Sequence, residues 1–215
     1  VVSGIVPTVW RVEMDNETQL TIADGGQLTI DATACVNCKG FYIRPQATLT
    51  VEANAFLSIQ NTEDYGLQNS KSTIINNGTI DISNTIDHAW YNYTNGTDSG
   101  GILVNNNGII NFNNTTGNAW HSQIQNDTMN FVNNGSMNFT NIGGNAMYNF
   151  SYQENALVNF DNNGTITIND AVNRGIYNET RGNTTGWLAY SNFNNTGIIN
   201  ISNTGSDGFF NYNRR

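Results

Sequence analysis

Charge is what this sequence has least of. Only 12% of its 215 residues are Asp, Glu, Lys or Arg, about half the usual share for a soluble domain. The few charges are unbalanced, 8 basic against 17 acidic for a formal net charge of −9, and such a surface repels a phosphate backbone. Nucleic acid is therefore not an expected partner. Histidine and cysteine are equally scarce, with 2 of each. The cysteines stand together as Cys35-Val-Asn-Cys38. A redox dithiol normally opens a helix after a strand, and nothing around them reads as helical; a structural zinc site needs two more ligands. The pair is read as a local disulfide or two inert thiols, and no metal or cofactor is expected. No apolar run approaches the ~20 residues of a membrane-spanning helix.

What remains is apolar and amide-rich. Hydrophobic residues make up 38% of the chain, enough for a core, and low charge with this apolar content is not the composition of a disordered chain. Asparagine supplies about a fifth of all residues, and it favours turns and left-handed backbone.

The asparagines recur in a repeat. An apolar residue is followed six positions later by a second and ten further on by a third, at Ile22/Leu28/Cys38, Val51/Leu57/Leu67, Ile74/Ile80/Trp90, Val104/Ile110/Trp120, Phe131/Met137/Met147, Phe160/Ile166/Ile176 and Phe193/Ile199/Phe209. Only the distance to the next copy varies, so insertions are expected at one corner, as in a solenoid. Between the first two anchors lie Asn76-Asn77-Gly78, Asn106-Asn107-Gly108, Asn133-Asn134-Gly135 and Asn162-Asn163-Gly164, read as tight corners using positive φ. Pairs such as Leu57 and Ile59 or Ile166 and Ile168 then alternate with polar residues, the period of a strand with one buried face. The residue before the third anchor is small (Gly66, Ala89, Ala119, Ala146, Gly175, Gly208), which suits a crowded bend.

Asn-Gly between apolar runs also marks hairpins, but three anchors in each repeat of about 29 residues suit a three-sided coil better. Runs such as IINNGTIDISNT, VNNNGIINFNN and VNFDNNGTITIND resemble right-handed parallel β-helix surface proteins, including adhesins and autotransporter passengers, over roughly residues 20–211. The expected fold is all-β, a right-handed parallel β-helix of about seven coils spanning residues 20–215, preceded by an extended apolar segment, residues 1–19. The resemblance implies an extracellular or cell-surface setting and no single activity.

About 15 Asn-x-Ser/Thr triplets, roughly twice the number expected from random placement, agree with that setting, since N-glycans require an accessible acceptor. Asn77, Asn134 and Asn163 at corners, and Asn95, Asn126 and Asn183 in variable loops, are the candidate sites. Asn92, Asn149 and Asn178 also lie in such triplets but fall on the inward side of their strand. Asp64 and Asp87 share a column with His88 beside them, a pair that could bind Ca²⁺ or exchange protons. No Lys or Arg aligns with them and His121 is three columns from His88, so a solvated turn is the expected reading and no catalytic residue is assigned. Tyr91, His121, Tyr148, Tyr177 and Phe210 form a column after the third anchor, with Tyr91, Tyr148 and Tyr177 as a possible aromatic binding face. The threonines are scattered, unlike a regular ice-binding ladder.

The functional expectation is a structural subunit of an extracellular filament or surface adhesive layer, with copies of itself as partners, attached N-glycans, and surface polysaccharide as a further partner. A monomeric carbohydrate-binding or carbohydrate-cleaving β-helix is the alternative. The sequence after Phe210 has no amphipathic helix or polar coil, whereas VVSGIVPTVWRVEM at the other end is strongly apolar. Uncapped coils associate through open edges, so Val9, Trp10 and Val12 are expected to meet Phe209 and Phe210 of a neighbouring copy, by strand donation or by coil stacking.

Overall fold

Strands with one apolar side must bury it, and here the chain does so by winding. A computed structural model describes residues 1–5, 8–33, 35–96, 100–153, 155–182 and 189–214. Among the described residues there is no helix, and the strands assemble into three parallel sheets. The first sheet has eight strands, from Val12–Met14 to Phe209–Arg214. The second runs from Gln19–Ile22 to Tyr190–Asn195 and the third from Gln27–Asp31 to Ile198–Thr204, each with seven strands. Each strand pairs with its equivalent one coil away. The chain is thus an all-β parallel β-solenoid of seven coils, and at ~4.8 Å per coil the rod is about 35 Å long.

Inward side chains stack like on like. Phe112 lies on Phe139 with ring centroids 4.8 Å apart, and Phe131 on Phe160 at 4.4 Å. All four are fully buried, as are Trp90 and Trp120, and each such side chain contributes about 1.5–3 kcal/mol. Amides share this interior. Asn76 Nδ2 donates to Asn106 Oδ1 (2.8 Å), Asn106 to Asn133 (2.7 Å) and Asn133 to Asn162 (2.6 Å). The same nitrogens also donate to the backbone carbonyls of Ile109, Ser136 and Thr165 just past the next corner. A second interior ladder runs from Asn149 to Asn178 to Asn211, each step 2.9 Å. Asn92, Asn149 and Asn178 are buried, on the inward side where the strand period placed them.

Several sequence expectations are corrected. The Asn-Asn-Gly corners do not use positive φ: a Cβ on Gly108, Gly135 or Gly164 would lie 2.0 Å from the carbonyl of the preceding coil's corner glycine. These glycines are there for close approach. Left-handed backbone falls instead at Asn84, Asn114, Asn141, Asp170 and Asn203, with φ of 55°, 53°, 56°, 63° and 54°, near the end of the last five third-sheet strands. Register also differs in the first two coils. Leu49, not Val51, pairs with Ile74, and Val51 pairs with Asn76, so their corner is two residues longer. Phe41, not Cys38, pairs with Leu67 and is the third anchor of the first copy. The displacement comes from an insertion at a second corner, residues 32–40, where Cys35 and Cys38 lie at disulfide distance with Cα atoms 5.5 Å apart. Later insertions do fall at one corner, between the first and second sheets, as from Tyr93 to Ile102 and from Arg181 to Tyr190.

The N-terminal segment lies on its own rod. Val2 bridges to Ile22 and Val9 to Ile30, both parallel, and Val12–Met14 pairs with Phe41–Ile43. Pro7 lies outside the described residues.

Candidate functional site

The outward positions of the first sheet collect most of the tyrosines. Parallel register sets Tyr91 beside His121, His121 beside Tyr148, Tyr148 beside Tyr177 and Tyr177 beside Phe210. Their ring centroids are 5.2, 4.9, 4.9 and 5.5 Å apart in turn, about one coil per ring. Tyr65 extends the column at 4.5 Å from Tyr91. A second column carries Tyr93, Gln123, Phe150, Glu179 and Tyr212. The expected ladder is therefore present, joined by Tyr65 and by this second column, which the three-anchor pattern did not reveal. Tyr65 could have been found as the residue preceding Gly66 at the bend.

Rings stacked along the rod cover each other's faces and turn their edges to solvent. Tyr148 and Tyr177 are 11° from parallel. At the C-terminal end of the column the guanidinium of Arg174 lies 4.6 Å from the Tyr177 ring centroid and 4.5 Å from that of Phe210. Hydroxyls are engaged too: Tyr91 Oη donates to Gln123 Oε1 (3.0 Å) and Tyr148 Oη to Glu179 Oε2 (2.6 Å). Burial pushes the Glu179 carboxyl up, but hydrogen bonds from Tyr148, Tyr177 and Arg181 outweigh it and hold the group below its ordinary value. Burial, then the bond to Glu179, pushes Tyr177 up to about 12 and Tyr148 upward as well. At Tyr91, Tyr148 and Tyr177 the aromatic column is thus a cohesive seam whose faces and hydroxyls are already occupied.

Next to it lies the acid and histidine cluster. The bend folds His88 over the sheet, so its ring is 4.3 Å from that of His121; the sequence had set them three columns apart. Lys39, brought in by the 32–40 insertion, acts on the Asp64 carboxyl, which burial raises and Lys39 partly lowers. The expectation that no cation stands near these acids is corrected accordingly. Asn118 N–H donates to His88 Nδ1 (3.2 Å), which requires an unprotonated Nδ1, and burial lowers the His88 pKa in agreement. His121 is pushed to about 3 by burial and by His88, and neither of its ring nitrogens has a partner. The His121 imidazole is neutral near pH 7. Asp87 Oδ1 lies 3.2 Å from His88 Nδ1, and among the described residues no set of His, Cys, Asp or Glu is arranged to hold a metal.

Of the glycosylation candidates, Asn77, Asn95, Asn126, Asn134 and Asn163 are exposed, and Asn183 lies outside the described residues. Asn77, Asn134 and Asn163 belong to an outer ladder with Asn107: Asn107 Nδ2 donates to Asn77, Asn134 to Asn107 and Asn163 to Asn134, at 2.9, 2.9 and 3.0 Å. On another corner, Asn114, Asn141, Asp170 and Val172 line an open groove of about 800 Å³. At the proposed contact residues, Trp10 is 65% and Phe209 43% exposed, while Val9 and Val12 pack partly buried on the core and Phe210 sits in the ring column.

Compared with known proteins, the chain matches no family model, no curated protein and no solved structure.

Proposed function

We propose that the chain is a secreted, N-glycosylated structural rod, a subunit of an extracellular filament or surface adhesive layer whose copies stack head to tail. The supporting observation is the coil built from Tyr190–Asn195, Ile198–Thr204 and Phe209–Arg214. Phe209 is 43% exposed, and Phe193, Ile199 and Ile201 are only partly buried in columns that are fully covered elsewhere. One more coil would cover them, and Val2, Val9 and Val12 offer partly buried apolar side chains at the opposite end. Continuing the first-sheet register, with Phe209 over Val12 of the next copy, brings Arg214 toward Asp15 and Glu17, a pairing of opposite charges. Because the N-terminal segment already pairs with its own first coil, joining by stacking costs less than releasing and donating that segment. The resemblance of the repeats bears on the extracellular setting alone.

Sedimentation and negative-stain electron microscopy of the chain test it. Rods several times the length of one copy are expected, and Phe209→Asp with Ile201→Asp should return them to single copies. Single particles of the unaltered chain at all concentrations would sink the filament reading and favour a monomeric carbohydrate-binding or carbohydrate-cleaving solenoid.

A further inference from the structure

In the strand Leu67–Ser70 the outward positions carry Gln68 and Ser70 instead of rings, and the Tyr65 ring from the preceding bend covers Tyr91. Tyr42 pairs with Gln68 and Gln68 with Tyr91, while Ser70 pairs with Tyr93. Gln68 thus lies between Tyr42 and Tyr91, and Ser70 beside Tyr93. Beside them lies a slot of about 150 Å³ lined by Tyr42, Pro45, Gln68, Ser70, Tyr93 and Lys71, whose ammonium is paired with Asp127. That volume is well below a drug-sized pocket and is of the order of one six-membered ring. A second observation points to a ligand. Gln68 is only 7% exposed; its Nε2 donates to Ser70 Oγ (3.4 Å), but its Oε1 has no partner. A buried acceptor left unpaired costs roughly 1–3 kcal/mol, which a hydroxyl donor entering the slot would recover.

An apolar wall opposite a buried acceptor suits a molecule with one C–H face and a rim of hydroxyls. We infer that the slot binds a single neutral pyranose ring, its C–H face against Tyr93 and a hydroxyl donating to Gln68 Oε1. The interaction goes beyond the structural role and does not depend on polymerisation. The ring has two possible sources, since Asn95 of the triplet Asn95-Gly-Thr also lines the slot: a polysaccharide outside the chain, or the chain's own glycan.

Saturation-transfer NMR with glucose, galactose, mannose and N-acetylglucosamine decides the matter, using glycosylated chain and the Asn95→Gln variant. Transfer from at least one sugar is expected to the variant, and it should fall at least tenfold in Gln68→Leu and in Tyr93→Leu, both made on the Asn95→Gln background. Circular dichroism establishes that the substituted chains keep their sheet signal, and if one loses it the other serves. Transfer to the glycosylated chain as well assigns the slot to an external sugar; transfer to Asn95→Gln alone assigns it to the attached glycan. No transfer to either chain, or equal transfer after both slot substitutions, overturns the inference.

Discussion

In the first two coils the corner between the second and third sheets passes through Asp24-Gly25-Gly26 and Glu52-Ala53-Asn54-Ala55, with Ile22 and Val51 filling the interior. Each corner closes its own turn, Gly26 N–H to Ala23 O (2.7 Å) and Ala55 N–H to Glu52 O (3.1 Å), and polar contacts between the two use carboxylates, as where Asn54 Nδ2 donates to Asp24 Oδ1. From the third coil on the corner is two residues shorter. Its amides reach the neighbouring coil instead, as when Asn107 N–H and Gly108 N–H both donate to Asn76 O, and a buried Asn replaces the buried Val. Asparagine count follows the corner: 2 in residues 1–50 but 15 in residues 101–150, and no Lys or Arg lies between Lys71 and Arg174. A solenoid corner can thus be long with an apolar filling, or short with an amide that serves the next coil. The second option makes a polar interior without charge.

The sharpest way to break this contrast is the corner glycine. Gly135→Ala forces a Cβ to 2.0 Å from Gly108 O and should cost about 3 kcal/mol or more through overpacking. Gly25→Ala, with φ of 69° but nothing within 4 Å, should cost about 1 kcal/mol of left-handed strain. Urea midpoints measure both, and equal losses would show that close approach is not what the short corner demands.

Next in size is the interior amide. Asn133→Leu strips the acceptor from Asn106 Nδ2 and the donors from Asn162 Oδ1 and Thr165 O, an expected loss of about 2–4 kcal/mol. The corresponding trimming of the apolar corner, Ile22→Val, should cost about 1 kcal/mol. Raising salt to 1 M should leave the Asn133 loss unchanged, because neutral amides are not screened as ion pairs are.

The smallest expected effect concerns Asp31 in the first coil, whose pKa is lowered to about 2 by hydrogen bonds from Thr33, then Asn61, opposed by burial. A carboxylate lowered on folding stabilises above its unfolded pKa of about 3.9; that contribution is lost as pH falls from about 4 to about 2. At this solvent-facing position it is worth less than about 1 kcal/mol. The stability difference between the chain and Asp31→Asn should therefore be small at pH 6 and vanish by pH 2; a difference that grows on acidification would contradict the assignment.

Columns defined by side-chain volume were readable from the residues alone. Leu57, Ile80, Ile110 and Ile166 line up as spaced, and the small residues Ala89, Ala119 and Ala146 are fully buried at the bend. Backbone roles were harder to read. Asn-Asn-Gly looks the same whether its glycine serves φ or proximity, and proximity involves a coil almost thirty residues away. The left-handed column was nonetheless visible in Asn84-Thr85, Asn114-Thr115 and Asn203-Thr204. The electrostatic influence of Lys39 on Asp64 and the contact of His88 with His121 were hidden for a different reason: an insertion and a bend move side chains across columns that a linear alignment keeps apart.

Because the ladders run vertically, one residue wide, the rod has a natural unit of length. Asn107 and Asn134 occupy the same rung of successive coils, so excising residues 107–133 would join Asn106 to Asn134 and leave every column with a like neighbour. Such a chain would be shorter by one coil, ~4.8 Å, with its ends and outer faces otherwise unchanged. Duplicating the same segment would lengthen it by the same step. The fold is in this sense a ruler graduated in whole coils, on which the spacing between two surface features can be reset by cutting or copying about 27 residues.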